Sequence, residues 1–205
     1  MAREAQTVRS TRTRAALRRA ALSRFTTQGV EATSVEEIAA DAGVTVRTFY
    51  RHFGSKHDLL FADYDAGLQW FRAALASRPS DEPLVESVQA AIFAFPEDVD
   101  AIAQLTQMAT WRAEQLDHGR IAGHLRGVES DFARAVTDHL VRRHAPSTAE
   151  EHLAVAVTAR TLAAATFAAM ETWMVHGERT MAELARLCHL ALDQLAPSLR
   201  PGAAI

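Results

Sequence analysis

Hydrophobic positions recur at helical spacing from one end of the chain to the other. Leu17, Ala21 and Phe25 follow one another at four-residue intervals, which predicts a first amphipathic helix that ends near Gly29. No alternating run of β-branched residues indicates a strand. The pattern therefore predicts an all-α fold of about nine helices. The later ones are expected at about 84–95, 97–117, 121–144, 149–177 and 180–196.

Two short helices are predicted after the first one. Ser34 and Glu37 have the spacing of a capping box, in which the hydroxyl accepts from the N3 amide and the carboxylate reaches back. Gly43 is expected to end this helix in a left-handed conformation, and Thr45 to cap the next helix two residues later. Two short helices joined by a tight glycine turn, packed on a preceding helix, form a helix-turn-helix.

A fourth helix is predicted over 55–77. Gly54 ends the helix before it, and Ser55 with Asp58 has the outline of another capping box. The segment 77–83, SRPSDEP, is the clearest break that follows. The predicted domains are 1–57, a DNA-binding domain with an N-terminal arm, and 58–205, with the helix 55–77 linking the two.

The formal charge of −3 is unevenly distributed. Residues 1–57 hold ten basic and five acidic residues, a balance of +5, whereas the remainder holds twelve against twenty, a balance of −8. A basic N-terminal segment followed by an acidic remainder indicates that only residues 1–57 bind an anionic partner.

The third helix carries the predicted DNA contacts, because the second helix of such a motif enters the major groove. Phe49 and Phe53 are expected to face the core, which leaves its other side chains for DNA. Arg47 can bond a guanine edge in bidentate fashion, although Arg47 or Arg51 could equally contact only phosphate. The helix N-termini that begin at Ser34 and Ser55 are predicted phosphate sites, because free amides and the positive end of the helix dipole meet an anion there. The predicted DNA-binding residues are Ser34, Thr45, Val46, Arg47, Thr48, Tyr50, Arg51, His52 and Lys56. Exposed arginines of the arm, Arg9, Arg12 and Arg14, could follow the backbone or enter a minor groove.

The segment 33–60, TSVEEIAADAGVTVRTFYRHFGSKHDLL, resembles the DNA-binding motif of TetR-family transcriptional regulators. The likeness covers about residues 12–60, and WRAEQL and LAAATFAAMETWM are similar to an actinobacterial subgroup. Val46-Arg47 replaces the family's frequent polar–Gly pair, and Arg18 and Arg24 stand where Leu is frequent. The resemblance implies a bacterial, cytoplasmic homodimer on a palindromic double-stranded DNA operator. It also implies a larger helical ligand-binding and dimerisation domain, whose small-molecule effector releases a repressor from DNA.

Large apolar and polar residues of the C-terminal half are candidates to bind that effector; the alternatives are plain core for the apolar ones and a solvated or ion-paired face for the polar ones. They are Phe93, Met108, Trp111, Arg112, His124, Phe167, Met170, Glu171 and Trp173. The last two helices carry surplus apolar surface, including a stripe of Met181, Leu184, Cys188, Ala191 and Leu195. Pairing them with a second copy would form a four-helix interface; the alternative is one thick monomeric core.

Other classes of protein find less support. The single cysteine, Cys188, excludes a disulfide framework and is expected to be a buried small hydrophobe rather than a redox sensor. No metal site, cofactor or catalytic residue is predicted, and the Ala-rich segment 153–170 is interpreted as a buried helix rather than a membrane span. Two rivals remain: an enzyme with an appended DNA-binding head, and a DNA-binding protein that has no ligand.

Overall fold

A computed structural model describes residues 2–61, 64–94, 99–114 and 119–195. All regular elements within these ranges are helices, which confirms the all-α prediction. The chain divides into two compact units, Met1–Asp63 and Tyr64–Ile205. In chain order the helices are α1 Ala2–Ala32, α2 Val35–Asp41, α3 Val46–His52, a 3-10 helix Lys56–Phe61, α4 Tyr64–Ala76, α5 Leu84–Phe93, α6 Val99–Glu114, α7 Gly119–His144, α8 Ala149–His176 and α9 Met181–Asp193.

Helix α1 begins earlier than the sequence pattern predicts. The expected N-terminal arm belongs to this helix from Ala2 onwards, because alanine and arginine are its commonest residues and no glycine or proline interrupts it before Gly29. At Gly29 the backbone leaves the helical region, with φ 81° and ψ 167°. The predicted break at this glycine is therefore confirmed, although helical residues resume and continue to Ala32.

The turn between α2 and α3 follows the predicted chemistry. Both arms of the Ser34–Glu37 capping box are present at the start of α2. At its end, the Gly43 amide donates to the Ala40 carbonyl at 3.0 Å and the Val44 amide donates to the Ala39 carbonyl at 2.9 Å. This pair of bonds is a Schellman motif, whose C′ residue is left-handed, and Gly43 accordingly has φ 67°.

The predicted fourth helix is not α-helical at its start. The Asp58 carboxylate accepts from the amides of Gly54 and Ser55 at 2.7 and 3.2 Å, as the capping pattern predicts. The Asp58 amide, however, donates to the Ser55 carbonyl, three residues back, so the first turns are a 3-10 helix. The α-helix α4 is described from Tyr64, and residues 62–63 lie outside the described part.

Helices of the larger unit enclose one main core. Phe71 of α4 stacks on Phe132 of α7 with ring centroids 4.2 Å apart, and Phe167 of α8 meets Phe132 edge-on at 5.9 Å. Leu162 and Leu192 are fully buried in the same cluster. A smaller cluster joins α6, α8 and α9 around Ala109, Trp173 and Met174.

The surplus apolar surface of the last two helices lies mainly on α8. The predicted α9 stripe faces the core of its own chain, because Cys188 is fully buried and Leu184 and Leu195 pack on the core clusters, whereas Leu190 is 52% exposed. On α8, by contrast, Leu153 and Val157 are 63% and 54% exposed. By length and composition alone α8 would suffice to cross a membrane, yet one side of it packs in the core.

Candidate nucleic-acid interface

Helix α3 presents two different faces. Phe49 is fully buried and contacts the Phe53 ring with centroids 5.8 Å apart, whereas Tyr50 is 55% exposed. Arg47 and Arg51 are exposed on the outer side. The predicted division of the aromatic residues is therefore confirmed, and the two arginines are available to a ligand in solvent.

The beginning of α3 is built from three small side chains. The Thr45 hydroxyl accepts from the Thr48 amide at 3.2 Å, so Thr45 is the N-cap that the sequence predicts. The two threonine hydroxyls also lie 3.1 Å apart and share a hydrogen bond. Val46 and Thr48 are half-buried. The small side chains at the start of this helix therefore bond to or pack near one another, while Arg47 and Arg51 remain exposed.

His52 differs from the other predicted contacts on α3. It is half-buried, and its Nε2 atom is enclosed without a hydrogen-bond partner among the described residues. Burial lowers the pKa of His52 below its ordinary value, and the nearby Arg51 and Arg14 lower it further. The imidazole is therefore neutral at pH 7 and adds no positive charge to the helix. Its DNA contact stays a prediction.

Both helix starts that were predicted to hold phosphate already hold a carboxylate. Glu37 Oε2 accepts from the Ser34 amide at 2.9 Å and from its hydroxyl at 3.0 Å. Asp58 occupies the same place at the 3-10 helix, where the Ser55 hydroxyl donates to it at 2.8 Å. A carboxylate satisfies the free amides of a helix start but repels an incoming phosphate. Ser34 accordingly remains a predicted contact without electrostatic support from its surroundings.

Lys56 is held by the end of α1. Its ammonium group donates to the carbonyls of Glu31 and Thr33 at 2.8 and 3.0 Å. The neighbouring His57 Nε2 lies 3.2 Å from the Glu31 carboxylate. Sequence reasoning missed this anchor, because it joins residues that are 23 and 25 positions apart. The ammonium group also lies 3.9 Å from Glu31 Oε2, so a carboxylate already neutralises part of its charge.

Two arginines of α1 also have contacts that were not predicted from the sequence. The Arg14 guanidinium lies over the Phe53 ring, 5.1 Å from its centroid, as a cation–π pair. Arg24 donates to Asp41 and to Glu37, both on α2. The signal for the second contact was present in the sequence, since Glu37 and Asp41 are four residues apart on one face of a helix.

The candidate effector residues do not all lie together. Phe167 belongs to the main core cluster and Trp173 to the smaller one, where its indole donates to the Thr180 carbonyl at 2.9 Å. Phe93 is stacked on His189, with ring centroids 5.5 Å apart. Of the other candidates, Met108 and Trp111 are buried, His124 and Met170 are half-buried, and Glu171 is exposed.

Arg112 is the unexpected member of this set. Only 4% of its surface is exposed, and its guanidinium carbon lies 4.6 Å from the centroid of the Tyr64 ring. The alternative of a solvated face therefore does not hold for this residue, whereas the alternative of an ion pair stays open. A buried guanidinium on an aromatic ring combines charge with apolar surroundings, which is the chemistry expected of a residue that orients a polar group of a ligand.

These features define a helical protein with an N-terminal helix-turn-helix unit and a larger helical unit. Residues 17–62 match the family described as bacterial regulatory proteins, tetR family. The chain is 30% identical over 202 residues to the HTH-type transcriptional regulator TcmR of Streptomyces glaucescens, across 94% of this chain and 88% of TcmR. The chain therefore belongs to the TetR family of transcriptional regulators, which are not enzymes.

Solved structures share the fold across nearly the whole chain. FadR of Thermus thermophilus, a TetR-family repressor in complex with lauroyl-CoA, is 19% identical with a TM-score of 0.60, covering 94% of this chain and 98% of FadR. SmeT, the repressor of the Stenotrophomonas maltophilia multidrug efflux pump SmeDEF, is 24% identical with a TM-score of 0.55, covering 94% and 93%. Another SmeT structure is a complex with triclosan.

Proposed function

We propose that this regulator is a repressor that binds a palindromic operator as a homodimer and leaves it when a small molecule binds the larger unit. As a DNA-binding regulator it acts in the bacterial cytoplasm. The observation that carries the proposal is the outer face of α3, where Arg47, Tyr50 and Arg51 are exposed while Phe49 fixes the helix to its unit. An α-helix with such a face fits the major groove, whose base edges distinguish all four base pairs.

Arg47 reads bases in this proposal, whereas Lys56 contacts phosphate. Arg47 stands in the first turn of α3, the part of a recognition helix that approaches base edges. The ammonium group of Lys56 is held by the carbonyls of Glu31 and Thr33, which follow the break in α1 at Gly29 and keep its charge in one place. Thr45, Val46, Thr48 and His52 complete the proposed contact surface.

Dimerisation is supported by the exposed side of α8. Apolar residues recur along it with intervals of four and seven residues, a spacing that forms a continuous seam on one side of a helix. This α8 seam consists of Leu153, Val157, Ala164, Ala168 and Val175. Arg160 and Glu171 are exposed on the same side, which favours a second protein chain over lipid as its cover.

The dimer is tested by one charge placed in the seam. Val157→Asp should shift the protein from dimer to monomer in sedimentation experiments at micromolar concentration, because it would bury an unpaired carboxylate at the interface. Ser130→Asp, an equal charge on the exposed side of α7, is the matched control and should leave the dimer intact. A monomeric wild-type protein would refute the proposed dimer.

The effector is proposed to be a largely apolar molecule with one polar group. Met108 and Trp111 offer buried apolar surface on α6, and Arg112 offers a charged donor beside them. The relatives described above bind lauroyl-CoA and triclosan, molecules that combine apolar and polar parts. Phe93, His124, Phe167, Met170, Glu171 and Trp173 remain proposed secondary contacts.

DNA binding is tested by fluorescence anisotropy on an operator selected from random sequence. Arg47→Ala should weaken operator binding and relax the preference at one base pair, by about 1–3 kcal/mol. Lys56→Ala should weaken all sequences alike and lower the salt slope by about one. Arg134→Ala, an exposed charge on α7, is the control. Unchanged base preferences in Arg47→Ala would show that this residue does not read bases.

Ligand control is tested separately. Small molecules that raise the melting temperature of the protein should also release it from the operator, since a ligand that stabilises one state shifts the population towards it. If no compound in a broad panel of apolar acids and phenols does either, the rival reading of a DNA-binding protein without a ligand is favoured.

A further inference from the structure

One guanidinium group of α1 holds both turns of α2. Arg24 Nε and Nη2 donate to the two Asp41 oxygens at 2.6 and 3.0 Å, a bidentate pair, and Nη1 donates to Glu37 Oε1 at 3.0 Å. Glu37 lies in the first turn of α2 and Asp41 is its last residue. We name this set of three residues the α2 clamp.

Apolar packing alone fixes α2 weakly. The helix has seven residues, of which only Ile38 and Ala39 are buried. A two-turn helix is unstable by itself. Burial of two adjacent residues keeps α2 packed on α1 but does little to prevent α2 from rotating about its own axis. The α2 clamp acts on a different side and at both ends, so it opposes that rotation.

The orientation of α2 determines where α3 points. Asp41 is followed directly by the Schellman motif at Gly43, and Thr45 caps α3 two residues later. At the other end Glu37 uses its second oxygen for the capping box with Ser34. The same carboxylate therefore begins α2 and ties it to α1, and a rotation of α2 would carry the short turn and the recognition helix with it.

Arg24 is poorly suited to touch DNA itself. Three of its five N–H donors are directed at carboxylates, and the α2 clamp as a whole has one positive and two negative charges. Such a group repels phosphate. We propose that Arg24 is a positioning residue, which sets the orientation of the recognition helix and thereby operator preference without contacting the nucleic acid. This proposal rests on the proposed DNA-binding function.

The test compares operator DNA with a scrambled duplex at one salt concentration. Arg24→Gln and Asp41→Asn should each lower the ratio of the two affinities by about three- to tenfold, the range expected for a partly exposed bidentate pair. Because both variants open the same clamp, the double variant should show no further loss. Arg24→Lys, which keeps the charge but not the planar fork, should restore part of the ratio.

Two controls separate positioning from simple loss of folding or of a phosphate contact. Val30→Ala destabilises the same unit away from the α2 clamp, since Val30 is 4% exposed, and it should leave the ratio unchanged. The proposal is overturned if Asp41→Asn keeps the wild-type ratio, or if Arg24→Gln lowers both affinities equally with a salt slope smaller by about one. A wild-type protein that shows no sequence preference would instead overturn the proposed function.

Discussion

Gly29 should be the least replaceable glycine of the DNA-binding unit. Its φ of 81° and ψ of 167° lie in a region that is essentially restricted to glycine, where another residue costs about 1–3 kcal/mol. A Cβ atom at this position would meet nothing within 4 Å, so the cost comes from the backbone alone. Alanine also lowers the entropy of the unfolded chain, which stabilises the folded protein by about 0.4–1 kcal/mol and offsets part of this cost. Gly29→Ala should therefore destabilise the unit by about 1–2 kcal/mol.

Hydrogen exchange measured by mass spectrometry can follow this unit by itself, whereas all three tryptophans lie in the larger unit. A loss of about 1–2 kcal/mol should speed exchange of the α2 and α3 amides by about 5- to 30-fold. Amides of α8 should keep their rates. Gly67→Ala, at an α4 glycine whose Cβ would also meet nothing within 4 Å, is the matched control and should leave α2 and α3 unchanged.

Substitution by asparagine should distinguish Gly29 from Gly43. Asparagine tolerates the left-handed helical region, which the Schellman motif assigns to Gly43, but not the extended ψ of Gly29. Gly43→Asn should therefore be milder than Gly43→Ala, whereas Gly29→Asn should be as harmful as Gly29→Ala. If α2 and α3 exchange within twofold of wild type in Gly29→Ala, the backbone argument is wrong.

Three further predictions concern the larger unit. Hydrogen bonds from Arg78 and Ser87 lower the pKa of Glu82 to about 2. Glu82→Gln should therefore be less stable than wild type in urea unfolding at pH 7, with a difference that shrinks as the pH falls from about 4.5 to about 2; a constant difference would contradict this. Burial, and then the nearby positive charges, lower the pKa of His139 below its ordinary value of 6.5, so the wild-type protein should lose stability as the pH falls below 6.5. If a His139→Leu variant loses stability in the same way, His139 is not the cause. Burial raises the pKa of Cys188 to about 12, so iodoacetamide at pH 8 should modify it only on unfolding, and rapid modification of native protein would contradict its burial.

Local signals in the sequence predicted much of the DNA-binding unit. The Ser34 capping box, the left-handed Gly43 and the Thr45 cap depend on residues within five positions of one another, so the pattern contains the whole interaction. The inward Phe49 and outward Tyr50 follow from helical spacing alone. Where one motif decides the geometry, the prediction and the structure agree.

Predictions failed where two distant surfaces compete for the same residue. Helical spacing showed that one side of α9 is apolar, but not that α8 and the core of the same protomer cover Leu184 and Cys188. The 3-10 start after Ser55 was also hidden, since a capping pattern specifies which amides are satisfied and not whether the turn is three or four residues long. The candidate effector residues stay a prediction; they lie on α5, α6, α7 and α8, and no local pattern specifies how these helices pack.

Residues 1–57 offer less positive charge to DNA than their ten basic residues suggest. Of the ten basic residues before position 58, Arg24 is committed to two carboxylates and Lys56 is supported by the carbonyls of α1. Both predicted phosphate-binding helix starts carry a carboxylate as well. The positive surface that remains available lies on α3, at Arg47 and Arg51, and along the exposed side of α1. We therefore expect operator preference to depend on the orientation of α3 more than on total charge, and we expect the α2 clamp, whose net charge is negative, to influence which sequence is bound.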